Sequence, residues 1–478
     1  MQQLSWTDDM VLRAETPATP LQIQLLLIYD PASAPGGAVT FKGILEELDA
    51  RLHLADIFRR RLTETPVGLD RPYWTDDPNF DLEYHVRHIG LPQPGDWRQL
   101  CIQVARLHGR PIDLRRPPWE ITVIEGLNSV PGVPKGSFAM ALKMHHCAVD
   151  GMASVQMIAA LHDLAADSPR PAPPDQPWQP APLPTTANLL SRTAIKAALY
   201  PVRAGAVLAS HAPKAAVGLA GLPKKLINSV SRIPELSAPS FPPKTRFNQT
   251  VSPHRVFEAR FHDLVDFKRI KARVPGSTVN DVALAYVGGT LRHYLDRHGE
   301  LPDESLVAAC PMSLRPADEA THGNALFGRL QSLGTDIADP LVRLATIAES
   351  TAGSRSGPDR SVHTQLIELA GTVPTALLGV AAKAASAFPF SGPNLANTTV
   401  TNVPGPPVPL YFCGAQLLRA AGLGPLTGGM NLIHVVASYN GTLSISATAD
   451  RDALPDPATY AECMERAFSE LLSIAESE

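Results

Sequence analysis

Hydrophobic spacing changes period several times along the chain, and each change predicts an element. Over 136–146, "GSFAMALKMHH" alternates as a strand does, and "GMASVQMIAALHDLAAD" from Gly151 onward takes up a helical period. The short apolar run "PLQIQLLLIYDP" (20–31) ends in an Asp-Pro turn and predicts a buried strand. "FKGILEELDARL" (41–52), "FHDLVDFKRIKARV" (261–274) and "TVNDVALAYVGGTLRHYLDRHG" (278–299) carry apolar residues at helical spacing. "SLVAACPMSLR" (305–315), "NTTVTNVPG" (397–405), "NLIHVVASYNG" (431–441) and "TLSISATAD" (442–450) predict strands. Helices and strands mix in both halves, so the expected fold class is α/β, built as α+β layers.

Proline divides this pattern. "DSPRPAPPDQPWQPAPLPTT" (167–186) is stiff, extended and unfit for a sheet. It predicts an N-terminal domain over 1–166, a connector over 167–239 and a C-terminal domain over 240–478. Two cores also suit a chain of 478 residues. Within the connector, Ala187–Ser231 has no acidic residue; Arg192, Lys196, Arg203, Lys214, Lys224 and Lys225 stand among Ala, Leu, Val and Ile. Such a segment can lie on an anionic membrane. The plainer alternative is a helical hairpin packed on the protein and broken at Pro201, Pro213 and Pro223.

Composition narrows the partners. With 44% hydrophobic and 18% charged residues the chain is globular, and a net charge of -4 gives no ground for a nucleic-acid partner. Cys101, Cys147, Cys310, Cys413 and Cys463 are odd in number and lack CxxC spacing, which predicts free thiols in a reducing compartment. The N-terminus lacks a basic region followed by an apolar one, and no apolar stretch approaches ~20 residues. The expectation is no signal peptide, no transmembrane helix and a cytoplasmic location.

"KMHHCAVDG" (143–151) is the chemical signal, placed where a strand gives way to a helix. His145, His146, Cys147 and Asp150 are all possible metal ligands. Adjacent strand residues point to opposite faces, however, and no second His or Cys cluster completes a site, so no metal is expected. Cys147 as a nucleophile needs a base within reach, and His146, next in sequence, aims elsewhere. A single histidine acting as general base is the third reading: it takes a proton from an alcohol while that oxygen attacks an acyl carbon. Asp150 would order the turn through an ion pair, and Gly151 would permit a close backbone approach. A buried histidine pair without chemistry is the fourth.

HHxxxDG, here His145 to Gly151, resembles the active-site motif of chloramphenicol acetyltransferase-like acyltransferases and peptide-synthetase condensation domains. "LRAETPATPLQIQLLLIYDP", "IFRRRL", "PIDLRRPPWE", "TVNDVALAYVGGTLRHYL", "CPMSLRP", "HGNALFGRL" and "TNVPGP" occur in that order. Together they resemble the bacterial wax ester synthase/diacylglycerol acyltransferase family, in its actinobacterial form. The resemblance implies two chloramphenicol acetyltransferase-like domains with a tunnel between them. It assigns the base to His146, a supporting role to His145, and to Asp150 an ion pair with Arg59 or Arg61. It carries the family's Asn-Asp pair onto Asn280-Asp281, with Asn280 near the oxyanion. Ser313, Arg315 and Asn402 are implied as weaker substrate contacts. The family's usual Pro-Leu-Trp reads Pro117-Pro118-Trp119 here.

The implied reaction is transfer of a long acyl chain from acyl-CoA to diacylglycerol, a long-chain alcohol or both, with no cofactor. The expected partners are acyl-CoA, the acceptor and a lipid droplet or inner-membrane surface, where the protein would be peripheral. Two alternatives are an acyltransferase of polyketide-type lipid assembly, fed by a carrier protein or CoA, and a catalytically silent lipid-surface protein.

Overall fold

The strand Phe138–His145 is buried at every position, which is why its sequence is apolar on both faces. It belongs to a computed structural model that describes residues 1–148, 157–196, 198–199, 241–311, 328–355 and 395–476. The strand pairs antiparallel with Gln22–Asp30 on one side and Trp119–Glu125 on the other. Met140, Leu142 and Met144 pack with Trp119 and with Ile44 and Leu48 of the helix Phe41–Arg51. Ala139 and Ala141 share a second core with Leu100 and Val104 of the helix Trp97–His108.

That second helix opens on a capping box, Asp96 and Gln99 each satisfying a backbone N–H. Lys143 meets its other end. The ammonium donates to the Leu107 and Arg110 carbonyls at 3.2 and 2.9 Å and pairs with Glu120 at 2.9 Å. Burial lowers the Lys143 pKa, and the oriented carbonyls at a helix C-terminus offset that cost.

The first six-stranded sheet runs Tyr411–Phe412, Ala415–Leu423, Gln22–Asp30, Phe138–His145, Trp119–Glu125, Val86–Gly90. Residues 411–423, which the proline pattern assigns to the 240–478 domain, thus complete the N-terminal sheet. Without them the apolar strand Gln22–Asp30 would present an open edge. Pairing from Gln416–Asp30 to Leu423–Gln24, with a bulge between Leu417 and Arg419, covers it.

The second six-stranded sheet runs Gly328–Ser332, Val307–Pro311, Thr398–Pro404, Leu432–Tyr439, Thr442–Asp450, Arg255–Asp263. Thr398–Pro404 is parallel to both neighbours. The helices Val279–Arg297 and Pro457–Glu476 cover the sheet through Val282, Tyr286, Leu291, Met464 and Phe468. The helical period over 261–274 yields a helix only over Leu264–Ala272. Phe261, His262 and Asp263 instead pair with Ser444, Leu443 and Thr442, because the ladder satisfies their backbone groups first.

The crossover strand joins the two sheets. An added Cβ would lie 2.6 Å from Val435 Cγ1 at Gly422 and 2.5 Å from Ile433 Cδ1 at Gly424, so this approach uses glycine at both positions. Ser446 Oγ donates to the Gly422 carbonyl at 2.6 Å, and His108 Nε2 donates to that of Gly424 at 3.0 Å. Phe257 and Ala259 of the second sheet pack into the same core as Leu26 and Ile28 of the first. Leu423 pairs with Gln24, Gln24 with Lys143, and Gln22 with His145. The seam therefore meets the first sheet at the end where the histidine strand stops, two strands over, or about 10 Å.

A small sheet of Gln2–Gln3, Tyr73–Asp76 and Arg60–Thr63 completes the N-terminal part. The proline-rich segment meets it: Ala181 N–H donates to Asp76 at 2.9 Å, and Trp178 stacks under Arg59 at 4.7 Å. Residues 186–196 are helical. Lys196, one of the charges expected to face a membrane, is turned onto the protein instead. It donates to Tyr73 Oη at 2.8 Å and Asp70 Oδ2 at 3.0 Å, and also contacts Gln3. Arg203, Lys214, Lys224 and Lys225 lie outside the described residues. No helix among the described residues is long and apolar enough to cross a membrane.

Candidate active site

The two histidines stand on either side of the point where the central strand ends. His145 is its last residue, and its N–H donates to the Pro118 carbonyl at 3.0 Å. His146 opens a single 3-10 turn over His146–Ala148, and its N–H donates to the Leu21 carbonyl at 2.9 Å. Backbone bonds from both flanking strands thus fix where the turn begins.

His145 is fully buried. Its Nδ1 accepts from the Cys147 N–H at 3.2 Å and lies 2.9 Å from Cys147 Sγ. Nδ1 is therefore unprotonated, and Nε2 carries the hydrogen, donating to Glu15 Oε2 at 3.2 Å. Both ring nitrogens are engaged, which ties His145 to the turn and to Glu15.

His146 is half-buried. Burial lowers its pKa below the ordinary 6.5, its own backbone partly opposes this, and the adjacent His145 adds to the lowering. The imidazole is neutral at pH 7, the form that accepts a proton. Cys147 cannot serve as the nucleophile in this state. Burial, helped by Asp8 and Glu15, pushes the thiol well above 9, and its imidazole partner is His145 rather than His146. Among the described residues no three His, Cys, Asp or Glu side chains gather as metal ligands would.

Asn280 lies in the first turn of the helix Val279–Arg297, where Thr278 and Asp281 form the cap. Asp281 is fully buried and accepts from Thr351 at 2.8 Å, which makes it structural. Asn280 is half-buried, and Asn402 Nδ2 donates to its Oδ1 at 3.3 Å. Two candidates far apart in sequence thus meet, and that bond turns the Asn280 NH2 group away from Asn402.

Asp150, Gly151, Ser313 and Arg315 lie outside the described residues. The chain beyond the motif is anchored again: the Tyr29 hydroxyl and His162 Nε2 are 2.7 Å apart, and Arg51 bonds Asp163, Glu47 and the Ala160 carbonyl. Of the two arginines proposed to pair with Asp150, Arg61 sits 3.8 Å from Asp77 and donates to the Arg115 carbonyl at 3.1 Å. Arg59 stacks on Trp178. The Pro117-Pro118-Trp119 variation is accommodated. Trp119 is fully buried, stacks on His85 at 4.5 Å and donates from Nε1 to Phe58 O at 3.0 Å. Pro118 supplies only its carbonyl, to His145, and so needs no N–H.

Glu15 is the participant that sequence reasoning missed. It caps the end of the helix Trp6–Ala14, directly before a tight Thr16–Thr19 turn. A cavity of about 500 Å³ opens beside it, lined also by Arg13, Thr16 and Glu64. The one available signal was an acidic residue followed by a turn, just ahead of the strand that pairs with His145.

Two joined sheets, with His146 on the turn at the end of a central strand, are the frame shared with the known proteins that follow. The model of the wax ester synthase/diacylglycerol acyltransferase catalytic domain matches residues 4–283, and that of the WS/DGAT C-terminal domain matches residues 322–472. A "probable diacylglycerol O-acyltransferase" of Mycobacterium tuberculosis is 32% identical over 94% of each chain. The wax ester synthase/diacylglycerol acyltransferase from Marinobacter aquaeolei is similar in structure over the whole of both chains, with a TM-score of 0.67 and 25% identity. The first condensation domain of the calcium-dependent antibiotic synthetase, with a TM-score of 0.55 and 13% identity over 99% of this chain and 96% of its own, shares the fold. The chain belongs to the wax ester synthase/diacylglycerol acyltransferase family and is an acyltransferase.

Proposed function

We propose that the protein transfers a long acyl chain from acyl-CoA to the hydroxyl of diacylglycerol or a long-chain alcohol, with His146 as the general base. The observation that carries this reading is the place of His146 at the start of the turn that ends the central strand, where burial favours the neutral imidazole. His146 takes the proton of the bound hydroxyl as that oxygen attacks the thioester carbonyl. A carbon–oxygen bond forms, a tetrahedral oxyanion follows, and the carbon–sulfur bond breaks. The proton held by His146 passes to the departing thiolate of CoA.

The Asn280 amide is the donor proposed for the oxyanion, since its contact with Asn402 orients the NH2 group away from that residue. Asp150 and Gly151 are proposed to shape the turn, Arg59 or Arg61 to pair with Asp150, and Ser313, Arg315 and Asn402 to contact substrate. The seam between the sheets is proposed as one wall of a tunnel that admits CoA and acceptor from different sides. No metal or redox cofactor enters the scheme. The acid-free connector is proposed to bring the protein to a lipid droplet or membrane surface, through charges other than Lys196.

The test is CoA release from palmitoyl-CoA by purified protein, with dioleoylglycerol or hexadecanol as acceptor and no carrier protein present. Acceptor-dependent release with formation of the ester supports the reading. Absence of turnover with both acceptors contradicts it.

A further inference from the structure

Glu15 holds both histidines of the motif at once. Its Oε2 accepts from His145 Nε2 at 3.2 Å, and its Oε1 accepts from the Leu21 N–H at 3.3 Å. Leu21 in turn offers its carbonyl to the His146 N–H at 2.9 Å. One carboxylate thus fixes the ring of the first histidine and, through a single residue, Leu21, reaches the backbone of the second. Its own position is set from both halves of the molecule. Glu15 closes the helix Trp6–Ala14, and the turn after it is held by paired Thr16 and Thr19 backbones and by Arg255, which donates to the Ala18 carbonyl.

We propose that Glu15 is a positioning residue for His146, an inference that rests on the base reading above. The carboxylate is suited to the task because both of its neighbours are donors. An amide in its place has one carbonyl oxygen and must turn an NH2 group toward one of them. Facing His145, that NH2 would require the ring proton to move to Nδ1, where the Cys147 N–H already points. Facing Leu21, it would meet another N–H. Either way one bond is lost, and Leu21, whose carbonyl holds the His146 N–H, loosens.

The experiment compares Glu15→Gln with the parent and with Glu64→Gln, which lines the same cavity but touches neither histidine. Steady-state CoA release gives kcat and the KM for palmitoyl-CoA, and thermal unfolding reports the fold. A displacement near 1 Å at a reacting group costs on the order of 10²-fold, so kcat should fall about tenfold to hundredfold in Glu15→Gln. KM for palmitoyl-CoA and the melting temperature should stay close to the parent's, and Glu64→Gln should keep the parent's kcat. Unchanged kcat in Glu15→Gln overturns the proposal. So does a raised KM with kcat intact, which would make Glu15 a substrate contact. Loss of cooperative melting would make its role structural, and an equal fall in Glu64→Gln would assign the effect to the cavity's charge. If His146→Ala keeps its activity the base reading fails first, so the two failures are distinguishable.

Discussion

Replacing His145 by alanine removes a fully buried imidazole and the hydrogen bonds at both of its nitrogens. The Cys147 N–H then points into the vacated space, and an orphaned buried donor costs roughly 1–3 kcal/mol. Loss of packing adds roughly 2 kcal/mol, the lower end for truncating a large buried side chain. Glu15 is partly exposed, at 19%, and recovers a bond from water. The sum is about 4 kcal/mol, and at roughly 2–4 °C per kcal/mol for a domain of this kind the melting temperature should drop by about 8–16 °C. His145→Gln is the informative partner variant. Its amide oxygen can accept from Cys147 and its NH2 can donate to Glu15, so most of the loss should be recovered. Differential scanning calorimetry of the three proteins at pH 7.5 measures this. A His145→Ala protein melting within about 2 °C of the parent would refute the bonding described for the first histidine, since that limit corresponds to less than roughly 1 kcal/mol.

Three further outcomes follow from the same geometry. Cys147→Ala should retain at least about a third of the parent's CoA release, because a buried thiol with a raised pKa supplies no nucleophile; a dead variant together with an acylated Cys147 found by mass spectrometry would restore the nucleophile reading. The acid limb of kcat/KM should fall below pH 6.5, since His146 must be unprotonated and its pKa is lowered by burial; a limb at or above pH 7 in the pH–rate profile would contradict that assignment. Stability should decline as pH falls below 6.5. His108 and His434 are held at about 3 by burial, and His162 and His262 at about 4, so the unfolded chain binds more protons throughout that window. Each contributes a loss that approaches about 1.4 kcal/mol per pH unit, and denaturant titrations at pH 7.5, 6.5 and 5.5 should show the midpoint moving down much further across the last step than across the first.

The sequence made the sheet interiors legible wherever side-chain spacing alone decides structure. Gln22–Asp30 is read from its apolar run, Phe138–His145 from its alternation, and Val279–Arg297 from its helical period. Ala415–Leu423 was not read as a strand. "AQLLRAAGL" lacks clean alternation, and what makes it a strand is a partner far away in sequence, Gln24 to Asp30. The same long-range pairing is why a boundary set by prolines says nothing of residues 411–423 joining the first sheet. At the site, Asn280 and Asn402 were each singled out through the resemblance. Their meeting was not legible, because it depends on how a helix start and a strand end are brought together. Glu15 escaped notice for a similar reason. Its contact with His145 spans 130 positions and is created by a turn whose residues look ordinary.

The most direct measurement of the central claim is CoA release by His146→Ala, with palmitoyl-CoA and whichever acceptor the parent uses best, alongside its melting curve. A general base is worth roughly 10²–10⁴-fold, so the account predicts at least about a hundredfold loss of kcat in a protein that still melts cooperatively near the parent's temperature. A folded His146→Ala protein that keeps more than about a tenth of the parent's kcat would contradict it.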